Sequence, residues 1–401
     1  MMIDPTARCP KWLIDRITDS GGSISFYKYM DLVLNDPDNG FYSTGRIKIG
    51  KDGDFCTSSS LGNDFARLLA IQIVDWLLDL EKGGIDSEFL SLIEIGPGEG
   101  TFSRDLIDSI SEIAPTLICR LELVLVELNA GMKKRQKKVV NNLNGVNCRW
   151  SNVEELILEP VTGIVIANEV LDAFPVERLV FRDNKVFRQG VSAKKINDEF
   201  FLEFVDLMPT AEIRQFLKCS KGLLNIDFPP QNICNGWVTE WHCELPIWFE
   251  KLSKCLINGS LLVVDYALES KRYYNAIRKE GTLISYKNQQ ANSNILKDSG
   301  HCDLTAHICM ESTINYALTN GWKFLGSTRQ GQALLALGLP KLLYSLQNTA
   351  SNDLSALLDR RESLLRLVDP IGLGEFRWLA FQKDTCSDLI FRNRFLEEPT
   401  S

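Results

Sequence analysis

Long apolar runs are missing from this 401-residue sequence. No stretch reaches the ~18 apolar residues that a membrane-spanning helix needs, so no span is expected. Histidine is scarce, with three in all, and the 11 cysteines include no C-x-x-C pair. An odd, scattered set of thiols suits a reducing compartment and small buried side chains rather than a disulfide framework. His242-Cys243, and His301-Cys302 with His307, lack the tight paired spacing and roughly four ligands of a zinc site, so no metal is expected. Positive charge is also in short supply. The formal net charge of −8 argues against a nucleic-acid surface. The one basic run, Lys133-Lys134-Arg135-Gln136-Lys137-Lys138, has no interleaved aromatics and reads as the exposed face of a helix. The start carries Asp4 and Pro5, with neither an apolar leader core nor the Arg- and Ser-rich character of an organellar presequence. A cytoplasmic protein is therefore expected. There is no internal repeat and no low-complexity segment.

What is present is organised around Leu92-Ile93-Glu94-Ile95-Gly96-Pro97-Gly98-Glu99-Gly100-Thr101. An apolar run stops at three glycines on alternate positions, and an amphipathic pattern follows, with Phe102, Leu106, Ile107, Ile110 and Ile113 near helical spacing. That is a strand, a tight turn and a helix start. Gly96, Gly98 and Gly100 let a ligand lie against bare backbone, and the helix start offers free N–H groups. A dinucleotide fingerprint needs G-x-G-x-x-G, and Thr101 stands where its third glycine would fall. The spacing favours a nucleoside without pyrophosphate, such as S-adenosylmethionine. Leu121 to Glu127 reads as the next strand, ending in an acid placed to bond ribose hydroxyls. Glu94, inside the first strand, either steers the ligand's ammonium or braces the loop.

Further along, Gly163 to Ala167 is a continuous buried strand running into Asn168-Glu169-Val170-Leu171-Asp172. With a helix starting at Asn168, Glu169 and Asp172 would share one face and form, with the amide, a receptor for a cationic acceptor. An N-cap followed by first-turn acids would look the same without any function. Upstream, Ser25 is a candidate cap for a helix over Phe26 to Leu34. A loop from Asp54 to Ser58 precedes an apolar helix from about Asn63 to Leu80. That loop is expected to cover the cofactor, with Thr57 donating to its carboxylate. Arg178 to Leu207 alternates as antiparallel hairpins punctuated by Asp183-Asn184 and Gly190. A helix from about Trp241 leads into the strand Leu261 to Tyr266. His307, in a long weakly periodic region, is a candidate proton acceptor or a packing residue.

The fold expected is α/β, a doubly wound, Rossmann-like sheet. Its parts are an N-terminal helical segment with the covering loop (1–90), the first part of the nucleotide-binding core (91–177), an inserted β-hairpin and helical region (178–257), and the rest of the core sheet with C-terminal helices (258–401).

These residues match a family. The sequence resembles the MidA-like class I methyltransferases, which include a mitochondrial complex I assembly factor that methylates arginine. The resemblance rests on Gly53-Asp54-Phe55 with Thr57-Ser58, Glu94-Ile95-Gly96-Pro97-Gly98 with Gly100-Thr101, Val126-Glu127, Asn168-Glu169 with Asp172-Ala173 and Pro175, Asp265-Tyr266, Gly281-Thr282-Leu283, Thr305-Ala306-His307 and Gln330-Gly331. Ser59, Ala267 and Ala333 depart from the family pattern. The resemblance implies an S-adenosylmethionine-dependent methyltransferase with a protein arginine as favoured acceptor, for instance in a respiratory-complex subunit. On that reading Thr57, Glu94, Gly96, Gly98, Gly100, Glu127 and Asn168 hold the cofactor, and Glu169, Asp172 and His307 are the catalytic candidates. A protein substrate is the expected partner, and the inserted region or the C-terminal helices could equally dock a second copy as a homodimer. An assembly chaperone with a vestigial cofactor site and a small-molecule methyltransferase remain open alternatives.

Overall fold

A computed structural model describes residues 5–47, 50, 53–54, 56–83, 89–141, 143, 145–347, 353–384 and 389–399. The chain forms two compact units. One comprises Met1–Phe55, Leu171–Pro246 and Ala267–Tyr316, and the other Cys56–Val170, Ile247–Tyr266 and Ala317–Ser401.

The second unit is built on a seven-stranded sheet. Its strands are β1 Leu90–Ile95, β2 Leu121–Val126, β3 Asn147–Ser151, β4 Val161–Asn168, β5 Leu256–Asp265, β6 Lys323–Arg329 and β7 Arg377–Lys383. They lie in the order β6-β7-β5-β4-β1-β2-β3. Five strands, β3 through β5 across the sheet, pair in parallel. β7 runs antiparallel to both β5 and β6 and is the one reversed strand. The central strands are near-continuous apolar runs because helices cover both faces of such a sheet. All six residues of β1 are buried, Ser91 and Glu94 included. The order reverses at β1. The chain builds outward to β2 and β3, then returns to lay β4 on β1's other side. Ligands of open α/β sheets bind beyond the carboxyl ends of the strands at such a switch point.

Helix α1 (Asp64–Lys82) and helix α2 (Thr101–Ile113) pack against each other over this sheet, with Phe65 and Phe102 rings 5.6 Å apart. Helix α3 (Ala130–Val139) begins where the Asn129 side chain accepts from the Met132 N–H at 2.9 Å. That bond satisfies one of the helix's orphan donors. The C-terminal segment is tied to α1 by forked ion pairs, Arg360 on Asp64 and Arg394 on Asp75. Trp76 meets Phe391 and Phe395 edge-on beneath them.

The first unit is organised by antiparallel pairing. Ser23–Ser25, Glu177–Arg182, Lys185–Ile196, Glu199–Leu207 and Trp237–Trp241 form a five-stranded sheet. Ser25 does cap the helix Phe26–Asn35, accepting from the Lys28 N–H at 3.1 Å. The hairpin turns fall at Asp183-Asn184 and at Asn197-Asp198, all four residues with positive φ, as tight two-residue turns require. Gly190 is not the second turn. It lies mid-strand, where a Cβ would come within 2.7 Å of the Ile24 carbonyl oxygen, so glycine there admits the neighbouring strand. The helix expected from Trp241 starts at Leu245 instead, because Trp237–Trp241 is claimed by pairing with Glu177 to Phe181. Phe216 stacks on Trp241 at 4.7 Å in this unit's own core. Among the described residues no helix is long and apolar enough to cross a membrane.

Candidate functional site

The turn between β1 and α2 is where the sheet-bearing unit exposes backbone. Gly96, Gly98 and Gly100 take φ of 65°, 51° and 82°, the left-handed region that side chains disfavour. A Cβ on Gly96 would sit 3.1 Å from a Val170 methyl, and one on Gly100 3.3 Å from Gln136 Cγ. The bare turn is thus a cradle that side chains would fill. Gly100 caps α2 with no side-chain bond, which leaves the first-turn N–H groups available to a ligand.

Glu127 follows the last residue of β2 and is fixed on both oxygens. Oε1 accepts from the Asn129 N–H at 2.8 Å, and Oε2 from Gln136 Nε2 at 3.0 Å. Each carboxylate oxygen keeps acceptor capacity for a hydroxyl. Arg135 braces the turn from α3 by pairing with Glu99 at 2.7 Å.

At the carboxyl end of β4 the backbone does not enter a helix. Glu169 has φ of 57°, and its N–H bonds the Val264 carbonyl of β5 at 2.8 Å, so it stays with the sheet. Only a short 3-10 turn, Leu171–Ala173, follows. The expectation that Glu169 and Asp172 share one helical face is therefore wrong. The ladder from β5 takes the N–H that a helix start would leave free. The Glu169 carboxyl accepts from the Ser58 N–H at 2.8 Å and from Asn168 Nδ2 at 3.3 Å. Burial, with a smaller push from the Asp265 carboxylate, raises its pKa to about 8. Asn168 Oδ1 is buried with no hydrogen-bond partner. A buried acceptor left empty costs free energy unless a ligand or water fills it. Asp265 itself is held by the Val170 and Tyr266 N–H groups at 3.3 and 2.8 Å.

Glu94 is buried in β1 and accepts from the Ser103 hydroxyl on α2. Burial raises its pKa to about 7. It therefore ties strand to helix across the turn. Thr57 is buried and caps the 3-10 turn Ser58–Leu61, accepting from the Ser60 N–H at 3.2 Å. Ser58 Oγ donates to Gln330 Oε1 at 3.1 Å, and Gln330 Nε2 donates to the Leu367 carbonyl. Of the expected covering loop, Phe55 lies outside the described residues.

Asp172 and His307 belong to the other unit. There the Ala306 N–H donates to the Asp172 carbonyl at 2.9 Å. The His307 N–H donates to Thr282 Oγ1 at 3.2 Å, and Thr282 in turn donates to the buried Glu240 carboxylate. Burial, aided by Arg278 and Arg272, pushes the His307 imidazole down to about 4, which keeps it neutral at pH 7.

The structure thus gathers the glycine turn, Glu94, Glu127, Asn168, Glu169 and the Thr57 cap at the carboxyl edge of one sheet. Sequence reasoning missed Gln136, and gave Ser58 no role beyond membership of the covering loop. Gln136 is the one uncharged side chain in a basic run, four residues after the apolar Met132, and that spacing marks a buried helix face. These residues fit S-adenosylmethionine. The turn offers bare backbone, Glu127 offers acceptors to ribose hydroxyls, and Asn168 Oδ1 is an unmet acceptor for an ammonium.

A doubly wound sheet with one reversed strand, and a glycine turn and a strand-end acid beside its switch point, is the class I methyltransferase fold. The comparisons agree. Residues 68–328 match the family described as "Putative S-adenosyl-L-methionine-dependent methyltransferase", and the chain belongs to that family. S-adenosyl-L-methionine is its cofactor. A COG1565 superfamily member from Burkholderia thailandensis, solved with S-adenosyl-homocysteine bound, superposes with a TM-score of 0.81 at 25% identity, covering 97% of this chain and 95% of that one. The Drosophila melanogaster protein named protein arginine methyltransferase NDUFAF7 homolog, mitochondrial, is 28% identical over 41% of this chain and 40% of its own length. The Danio rerio protein arginine methyltransferase NDUFAF7, mitochondrial, is 23% identical over 88% of this chain and 82% of its own length. The match thus spans less than half of the Drosophila relative and most of the zebrafish one. These relatives are named as mitochondrial, which overturns the expectation of a cytoplasmic protein. Compartment is set by addresses that a folded core need not display.

Proposed function

We propose that the protein transfers a methyl group from S-adenosylmethionine to an arginine side chain of a protein substrate. The observation that carries this reading is the Asn168-Glu169 pair. An unmet amide oxygen and a carboxyl of raised pKa stand at the switch point, next to the glycine turn. The names of the relatives supply arginine as the acceptor.

When bound, the cofactor supplies an electrophilic methyl group on a sulfonium. The backbone of Gly96 to Gly100 would take the nucleoside, and Glu127 would accept from its sugar hydroxyls. A guanidinium is a poor nucleophile because its lone pairs are delocalised and it stays charged. Glu169 offsets this. Its carboxyl is neutral near pH 7 when alone, and an arriving cation favours the ionised form. The carboxylate then forks onto the guanidinium, localises its charge and takes the proton that leaves the methylated nitrogen. Holding donor and acceptor in line contributes much of the acceleration. The reading rests on the sheet-bearing unit alone.

Incubating the protein with methyl-labelled S-adenosylmethionine and an extract of cells lacking its gene should label a protein. Acid hydrolysis of that protein should release the label as methylarginine. Label confined to small molecules would instead favour a metabolite methyltransferase. Absence of any label would favour a binding protein.

A further inference from the structure

We propose that Gln136 is a positioning residue that sets the affinity for the cofactor's ribose by holding Glu127. This rests on the reading that the glycine turn takes S-adenosylmethionine. Gln136 sits on α3, inside the basic run, and is fully buried. Its Nε2 donates to the Gly98 carbonyl at 2.8 Å and to Glu127 Oε2 at 3.0 Å. Its Oε1 accepts from Trp150 Nε1, on β3, at 2.8 Å. The amide orientation follows from its partners. The indole N–H can only donate and the Gly98 carbonyl can only accept, so Oε1 must face Trp150 and Nε2 the turn. Both amide donors are then spent, one on the turn that would carry the nucleoside and one on the acid that would carry its sugar.

The arrangement links three elements that each meet the ligand's neighbourhood separately. Glu127 stands just past a strand end, partly exposed, where a carboxylate could swing toward water. The Asn129 N–H holds one of its oxygens, and Gln136 holds the other. Without Gln136 the carboxylate keeps one tether and gains rotational freedom, which binding would have to remove. A hydrogen bond to a charged group is among the stronger kinds, and its loss corresponds to about tenfold in affinity. Gln136 also backs the turn directly, since its Cγ is the atom that a Cβ on Gly100 would meet.

The role predicts a signature that simple packing does not. The part of its effect that passes through Glu127 matters only to ligands that have ribose hydroxyls, whereas its bond to the Gly98 carbonyl serves the dideoxy analogue as well. Titration calorimetry with S-adenosylhomocysteine and with its 2′,3′-dideoxy analogue separates the cases. Gln136→Met should weaken S-adenosylhomocysteine about tenfold while changing the dideoxy analogue much less. Glu127→Gln should weaken S-adenosylhomocysteine similarly, and the double variant should be little worse than Glu127→Gln alone, as expected for residues acting on one contact. Trp150→Phe frees the amide without emptying its place. It should give a smaller loss of the same kind, which keeps the test open if Gln136→Met does not fold. Equal weakening of both ligands, or none, would overturn the role of Gln136 while leaving the cofactor site standing. Wild-type protein that binds neither ligand would overturn both.

Discussion

Glu169→Gln should cut turnover about 10²- to 10⁴-fold, the range typical of a lost general base, while leaving S-adenosylhomocysteine affinity nearly unchanged. Glutamine keeps the shape and can still accept from the Ser58 N–H, which holds Oε1 at 2.8 Å in the wild-type protein. It cannot carry charge or take a proton. The loss should therefore appear in kcat, with cofactor affinity measured separately by calorimetry. The pH profile gives a second readout. The form that works is the carboxylate, and burial places its pKa at about 8. The wild-type rate should then rise with pH and level off near or somewhat below that value, since the bound guanidinium favours ionisation. Glu169→Gln should flatten that limb. Turnover surviving in the variant, or a wild-type rate that falls as pH rises from 6 to 8, would remove Glu169 from the chemistry.

Gly100→Val should weaken S-adenosylhomocysteine by about ten- to a hundredfold, corresponding to roughly 1–3 kcal/mol of strain. Position 100 has φ of 82°, and a β-branched residue there is a steric outlier. Its Cβ would also press on Gln136 Cγ at 3.3 Å. The turn relieves both by leaving the ligand-binding shape, and binding must restore it. The sheet beneath is untouched, because β1 ends at Ile95. Thermal unfolding should therefore still be cooperative. Affinity equal to wild type would show that the turn does not carry the nucleoside.

The parts of this architecture that were legible in the sequence are those decided locally. The apolar run of β1, its glycine turn and the amphipathic α2 adjoin in sequence, and their periods name them. The acid after β2 follows from the same unit. The segment after β4 could not be read this way. Asn168-Glu169-Val170-Leu171-Asp172 has the composition of a capped helix start, yet the Glu169 N–H is taken by Val264, from a strand far along the chain. A partner that distant leaves no trace in local spacing. The same holds for Trp237–Trp241, whose pairing with Glu177 to Phe181 displaced an expected helix start. Gly190 looked like a turn because glycine is usually read through its own conformation. Here it serves the backbone of another strand. Gln136 was hidden by its neighbours, since a run of lysines reads as a solvated face even when one member points inward. The polar core of the site was thus half legible. Residues at strand ends announce themselves, and the side chains that hold them do not.

The binding of a sulfonium nucleoside at the β1–α2 turn is tested most directly by titrating the purified wild-type protein with S-adenosylmethionine, S-adenosylhomocysteine and NAD in turn. The expected result is saturable heat with both sulfur nucleosides at one site per chain, and none with NAD. Saturable binding of NAD with no heat from either sulfur nucleoside would contradict it.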